Sequence, residues 1–289
     1  MAKWKIGIVG GSGLYQLDAL ENPQWIEVDT PWGKPSDALL NGTVAGVECV
    51  FLPRHGRGHV IGPSQLNYRA NIDALKRLGV TDIVSISAIG SLNEDMAPGD
   101  FVVVDQFIDR TIARTKSFFG EGLVAHVSMA DPVCPRLSSL LATAAEMAGA
   151  TVHRGATYLA MEGPQFSTRA ESHLYRAWGA HVIGMTAMPE AKLAREAELP
   201  YALVGMVTDY DCWRENEAPV EVEAVIAQMM ANAEKGRNLV AHMAASLPRV
   251  RQASPIDTVL DFALITDPAK RKPDLLAKLD AVAGRVLGA

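Results

Sequence analysis

A chain of 289 residues that is 48% hydrophobic and 21% charged has the composition of a globular protein able to bury a large core. Its net charge of -6, with no face of clustered Lys and Arg, argues against nucleic acid as a partner, and no apolar run is long enough to span a bilayer, so no membrane role is expected. The three cysteines, Cys49, Cys134 and Cys212, are odd in number and form no C-x-x-C pair, which excludes a disulfide framework or zinc cage; with no secretory apolar segment near the start, the expected location is the cytoplasm. No linker, low-complexity block or repeat divides the chain. The sequence predicts one domain over 1–289 with a C-terminal helical extension from about 246 to 289.

Residues 4–9 (WKIGIV) predict a strand, followed by Gly10-Gly11-Ser12-Gly13. Such a turn exposes backbone N–H groups and, with the Ser12 hydroxyl, suits a phosphate; the other reading is a purely structural turn. A dinucleotide fingerprint fails because its third glycine would fall at Gln16. Asn41-Gly42 predicts a hairpin turn between 38–40 and 43–44, and the later strand at 47–52 delivers Pro53-Arg54-His55-Gly56-Arg57-Gly58-His59. Two arginines and two histidines among glycines make an anion cradle or a solvated basic loop. The four-residue spacing of His55 and His59 invites a metal reading, but Gly56 and Gly58 disfavour the helix it needs, so no metal is expected. A helix over 67–78 stopping at Gly79 follows, then a strand over 82–88 and a turn at 89–92, where Ser87, Ala88 and Gly90 again suit an anion or simple packing. Residues 98–100 turn the chain into a strand at 101–105. The aperiodic excursion at 106–135 contains His126 and has the length of a functional or interface loop.

A helix is predicted over 135–148 and a strand over 151–160. The loop at 161–167 carries Glu162 and Phe166, read as a turn carboxylate and a staple or as a sugar contact and an aromatic face for a base; Thr168 to Glu171 is a capping box opening a helix through Trp178. Residues 181–184 form a strand leading to Thr186, an N-cap with a hydroxyl to offer an anion, and 191–197 return as helix. The buried strand at 201–207 then ends in Thr208-Asp209-Tyr210-Asp211-Cys212-Trp213. In extended geometry Asp209 and Asp211 face one object, and two adjacent acids cannot both ionise cheaply, which makes one a proton donor near neutral pH; the alternative is a solvated Asp-rich turn. An amphipathic helix is predicted over 220–245 and two more over 256–265 and 269–287.

Taken together, GIVGGSGLY (7–15), DTPWGKPSD (29–37), PRHGRGH (53–59), NYRANI (67–72), GSL (90–92), DQFIDRT (105–111), MEGPQFSTRAES (161–172), GMTAMPE (184–190) and TDYDCW (208–213) resemble the methylthioadenosine phosphorylases of the trimeric purine nucleoside phosphorylase class. The resemblance spans residues 7–213 and is weak after about 236. It implies an α/β fold with a mixed, twisted, partly closed central sheet flanked by helices, a homotrimer, and reversible phosphorolysis of 5'-methylthioadenosine to adenine and 5-methylthioribose 1-phosphate. Phosphate is then a co-substrate and no cofactor is implied. By the same resemblance Ser12, Arg54, His55, Ser87, Ala88 and Thr186 hold phosphate. Met185 holds the ribose, Phe166 stacks near the base, and Asp209, Tyr210 and Asp211 bind the substrate, Asp209 as proton donor to N7 and Asp211 or the backbone near it as acceptor from the 6-amino group. Ser167 and Val222 leave room for a 5'-methylthio group, and His126 with Leu264 or Ile265 reaches a neighbouring subunit's site. A 5'-methylthioinosine or general purine nucleoside phosphorylase, a water-using nucleosidase and a non-catalytic nucleoside sensor are the alternatives.

Overall fold

The computed structural model describes residues 3–11, 13–14, 16–215 and 221–288. Its strands and helices run in the order β1 (Lys5–Gly10), β2 (Glu21–Ile26), β3 (Leu39–Val44), β4 (Val47–Pro53), α1 (Tyr68–Arg77), β5 (Asp82–Ser91), β6 (Phe101–Asp109), α2 (Pro135–Met147) and β7 (Val152–Ala160). There follow α3 (Arg169–Ala177), β8 (Val182–Gly184), α4 (Ala187–Glu196), β9 (Tyr201–Asp209), α5 (Val222–Ser246), α6 (Pro273–Lys278) and α7 (Asp280–Leu287). All nine strands join one mixed sheet in the order β2-β3-β4-β1-β5-β8-β7-β6-β9, and β9 also pairs in parallel with β5. That pairing closes β5, β8, β7, β6 and β9 into a five-strand ring, while β1 to β4 continue from β5 as an open wing.

Alternation along the shared strands separates two apolar layers. Ile6 and Ile8 of β1 and Val84 and Ile86 of β5 pack toward α2 and α5 with Leu141 and Val240. Val9 and Ile83 point the other way, toward Ile72, Leu75 and Ala194 of α1 and α4 and Val282 of α7. Ser85 and Ser87 share the second face with Ile83, so polar groups on that side are carried beneath α4. Helix α1 begins at Asn67, whose side chain accepts from the Ala70 N–H, and ends before Gly79, which stands at φ +77°.

Several expectations need correction. Asn41-Gly42 is not a turn: it lies within β3, and the hairpin turns at Ala45-Gly46, both at positive φ (49° and 79°). Gly42 is small for a different reason, since a Cβ there would sit 2.6 Å from Leu20 Cδ1 and 2.9 Å from the Glu21 carbonyl. Residues 89–91 continue β5, where they find partners in β8 and β9, and β6 extends to Asp109 beside β7. The 256–265 helix reduces to one 3-10 turn, Pro255–Thr258; in place of the 269–287 helix, Pro268 opens a 3-10 turn and Pro273 a short helix, and a break at Leu279 separates that helix from α7.

Candidate functional site

Arg54 follows the last residue of β4 and is 2% exposed. Its Nε donates to Glu190 Oε2 at 2.9 Å, Nη1 to Thr186 Oγ1 at 3.0 Å, and Nη2 to Ser85 Oγ at 2.7 Å and the Val9 carbonyl at 3.2 Å. Glu190 also accepts from Ser85 Oγ at 2.8 Å and Tyr201 OH at 2.9 Å, so the buried carboxylate is satisfied on both oxygens. Burial works against the guanidinium's charge, but the Glu190 carboxylate outweighs it and raises the Arg54 pKa. Thr186 caps α4 without bonding the helix N–H groups, because its hydroxyl already accepts from Arg54. Ser87 Oγ lies 3.4 Å from Thr186 Oγ1. Arg54, Thr186, Ser87 and the adjoining Ala88 thus converge where β4, β5 and the start of α4 meet.

His55 adjoins Arg54 in the chain. Burial and the neighbouring Arg54 charge lower its pKa to about 4. Its Nδ1 lies 2.8 Å from the Ile61 carbonyl, which can only accept, so Nδ1 carries the proton and Nε2 is an acceptor. Its ring stacks on His59 at 4.2 Å, and among the described residues no group of His, Cys, Asp and Glu suits a metal ion. Ser12 lies outside the described residues.

The acid pair forms at the other end of the same β5 segment. The register of β9 against β5 shifts between Ile89 and Gly90, leaving Thr208 as an extra residue whose hydroxyl lies 2.6 Å from Asp209 Oδ2 and 3.2 Å from the Ile89 carbonyl. This bulge leaves Thr208 unpaired and sets Asp209 opposite Gly90 in the ladder. Asp211 is not extended, as i, i+2 spacing predicts, but stands at φ +52°; its N–H donates to Asp209 Oδ1 at 2.8 Å, so a turn rather than a strand brings the two acids together. Gly90 leaves the room they need, because a Cβ there would lie 3.0 Å from Asp209 Oδ1. Burial raises the Asp209 pKa above 3.8 against the opposing Thr208 hydroxyl and Asp211 N–H. Asp211 is also raised, mainly by burial, with the Ser172 hydroxyl opposing and the Asp209 charge adding to it. Its Oδ2 is buried without a hydrogen-bond partner among the described residues.

Between the two ends stand the loops at 161–167 and 185–188. Gly163, at φ +68°, approaches Met185 so closely that a Cβ would lie 2.5 Å from its Sδ. The Ser167 carbonyl accepts from Cys212 Sγ at 3.1 Å, tying this loop to the acid turn. Phe166 is 43% exposed and Val222, in the first turn of α5, 60%. One face of the Tyr210 ring carries the Arg214 guanidinium at 3.3 Å. His126 is exposed; its N–H donates to the Ala263 carbonyl at 2.9 Å, which sets it beside the C-terminal segment rather than with Arg54 or Asp209. The structure therefore brings together Arg54, Ser87, Ala88 and Thr186 at one end and Asp209 and Asp211 at the other, and leaves Val222 and His126 at the surface.

Two further residues belong to this frame. Glu190 is the counter-charge of Arg54, and buried Arg114 spans the loops around Met185. Both stood inside the quoted motifs or the long excursion, yet an acid four residues into a helix and an arginine in an aperiodic loop carry no local signal of burial.

Residues 5–245 match a sequence model of the phosphorylase superfamily. The chain is 63% identical over 287 residues to the S-methyl-5'-thioadenosine phosphorylase of Cereibacter sphaeroides, covering 99% of each, and 58% identical over 285 residues to that of Rhodospirillum rubrum, covering 98% of this chain and 97% of the relative. Among solved structures it is similar to a methylthioadenosine phosphorylase from an Antarctic soil metagenomic library, with a TM-score of 0.92, 47% identity and coverage of 98% and 99%. The Schistosoma mansoni methylthioadenosine phosphorylase in complex with adenine aligns with a TM-score of 0.79 and 42% identity over 83% of this chain and 91% of that one.

Proposed function

The chain belongs to the phosphorylase superfamily, and from that premise we propose that it catalyses the reversible phosphorolysis of 5'-methylthioadenosine to adenine and 5-methylthioribose 1-phosphate. The observation that carries this reading is the placement, at the two ends of one stretch of β5, of a buried guanidinium and a carboxyl whose burial favours its protonated form.

Phosphate is held by Arg54, whose Nη1 has a second N–H beyond the one given to Thr186, and by the hydroxyls of Ser87 and Thr186, with Ser12 and Ala88 completing the cradle. Neutral His55 accepts through Nε2 from the O–H of monohydrogen phosphate, a contact an imidazolium would not make. A phosphate oxygen attacks C1' as the C1'–N9 bond breaks, and its negative charge stabilises the developing oxocarbenium ion. Asp209 delivers its proton to N7, so that adenine leaves neutral, and Asp211 accepts from the 6-amino group. Met185 bears on the ribose, Phe166 on the base, and Tyr210 lines the acid turn. Ser167 and Val222 border the 5' end without offering a second charge to a methylthio group.

The active assembly is a homotrimer in which His126, with Leu264 or Ile265, completes a neighbour's 5' site. The exposed apolar side chains beside His126 support this: Phe262 is 99% exposed and Ile265 62%. The three free cysteines suit the cytoplasm, where the products would enter purine and methionine salvage.

Adenine release from 5'-methylthioadenosine, measured with and without phosphate beside adenosine and 5'-methylthioinosine, tests the reaction. Strict phosphate dependence with the methylthio-adenine substrate preferred is expected. Release in the absence of phosphate would make the protein a nucleosidase, preference for the inosine analogue would overturn the assignment of the acid pair, and binding without turnover would leave a sensor.

A further inference from the structure

Arg114 lies in the irregular segment after β6, its side chain 1% exposed. Its Nη1 donates to Tyr68 OH at 3.0 Å and to the carbonyls of Met185 and Met188, the latter at 2.7 Å; its Nη2 donates to the carbonyls of Glu162 at 2.6 Å and Met161 at 3.4 Å. One planar fork thus gathers main-chain carbonyls from both loops that separate the Arg54 end of the site from the acid turn. The Glu162 carboxylate is held by Ser64 and the segment at 112–113. It accepts from Ser64 Oγ and from the N–H groups of Ile112, at 2.5 Å, and Ala113, at 3.4 Å, and lies 3.5 Å from Arg114 Nε. Glu162 therefore fixes the segment that presents Arg114.

We infer that Arg114, held by Glu162, is a positioning residue that sets the spacing between the loop carrying Met185 and Thr186 and the loop carrying Phe166 and Ser167, and so aligns the sugar and phosphate with the base. The inference rests on the phosphorolysis reading. A rigid guanidinium can satisfy carbonyls on two segments at once; an ammonium is a point donor and cannot span them. Each half of the site has its own contacts, Arg54 and Ser87 at one end and Asp209 and Asp211 at the other, and none of these touches Arg114. Loss of Arg114 therefore disturbs the alignment of the halves more than either half alone.

The test compares wild type, Arg114→Lys and Glu162→Gln. Expected for Arg114→Lys is a fall in kcat/KM for 5'-methylthioadenosine of about 100-fold. Calorimetric affinities for adenine alone and for inorganic phosphate alone should fall by far less than kcat/KM. Glu162→Gln, which preserves shape, should show the same split at about tenfold and carries the comparison if the lysine variant does not fold. Half-ligand affinities that fall as far as kcat/KM, or kinetics unchanged from wild type, overturn the inference. Hydrogen exchange supplies a readout free of substrate: residues 161–167 and 185–188 should lose protection together in the variants, and loosening of only one segment, or of neither, also overturns it. A wild-type enzyme that fails to release adenine defeats the phosphorolysis reading, while the exchange comparison still decides the coupling of the two loops.

Discussion

At Asp209 the stability of the fold and the proposed chemistry pull in opposite directions. The folded-state pKa lies above the ordinary 3.8, so between those two values the folded protein keeps a proton that the unfolded chain releases. The destabilisation from burying this group is absent below pH 3.8, grows as pH rises, and is complete above the folded pKa. Asp209→Asn is therefore expected to raise the melting temperature at neutral pH, with the gain shrinking as pH is lowered toward 4, while adenine release falls by about 10²–10⁴-fold. Thermal melts and initial rates on the same samples check both halves, and a variant that loses stability along with activity would show that the Thr208 and Asp211 contacts outweigh the cost of burying Asp209. Glu190 presents the converse case. Glu190→Leu leaves the Arg54 charge buried without its partner and should lower unfolding free energy by about 3–5 kcal/mol, as read from denaturant titration. The sequence points to Arg54, Thr186 and Asp209 because each closes a strand or opens a helix, and to Ser87 as the end of a strand that in fact runs on to Ser91. Glu190 and Arg114 were not legible, since their partners lie 136 residues away for Glu190 and as far as 74 for Arg114, and only the tertiary fold reveals that they are buried.

Elements with strong local signals matched the fold most closely. Asn67 and Gly79 bound α1 as their side chains dictate, and the Thr168–Glu171 capping box opens α3. The misplaced hairpin shows how a local rule is overruled. Asn41-Gly42 has the composition of a two-residue turn, but Leu39, Leu40 and Val44 are all buried, and an uninterrupted β3 buries them together. The turn falls instead on exposed Ala45 at φ +49°, where an alanine is strained. Ala45→Asn should relieve this by about 1 kcal/mol, and a thermal shift assay that finds no stabilisation would contradict it. The C-terminal segment was misread because charge-rich amphipathic stretches resemble helices whether or not prolines partition them. Its contacts are tertiary ion pairs, such as Arg285 to Glu198 at 2.5 Å, that span 87 residues.

For the whole molecule, the apolar surface near His126 bears on assembly. Phe262 and Ile265 are 99% and 62% exposed, more than isolated surface chance requires of a chain with so well-filled a core. Sedimentation velocity should find a trimer, and Phe262→Lys should shift it toward monomer with loss of activity at low protein concentration; a wild-type monomer with full turnover would remove the neighbour's contribution to the site. The ring of five strands and the open wing were both within the expected class of mixed, partly closed sheet, but the strand common to them could not be read from the chain, because pairing between β5 and β9 joins residues some 120 positions apart.

That shared strand works as a ruler. Three residue steps lead from Ser87 to Gly90, so the backbone behind the proposed phosphate site and the backbone behind the acid turn are held about 10 Å apart by covalent geometry. A pocket built from two independent loops would have to find this distance anew each time it closed. Here the scale is ruled into the backbone, and exchanging the acid at its far end for an amide leaves the near end where it stands.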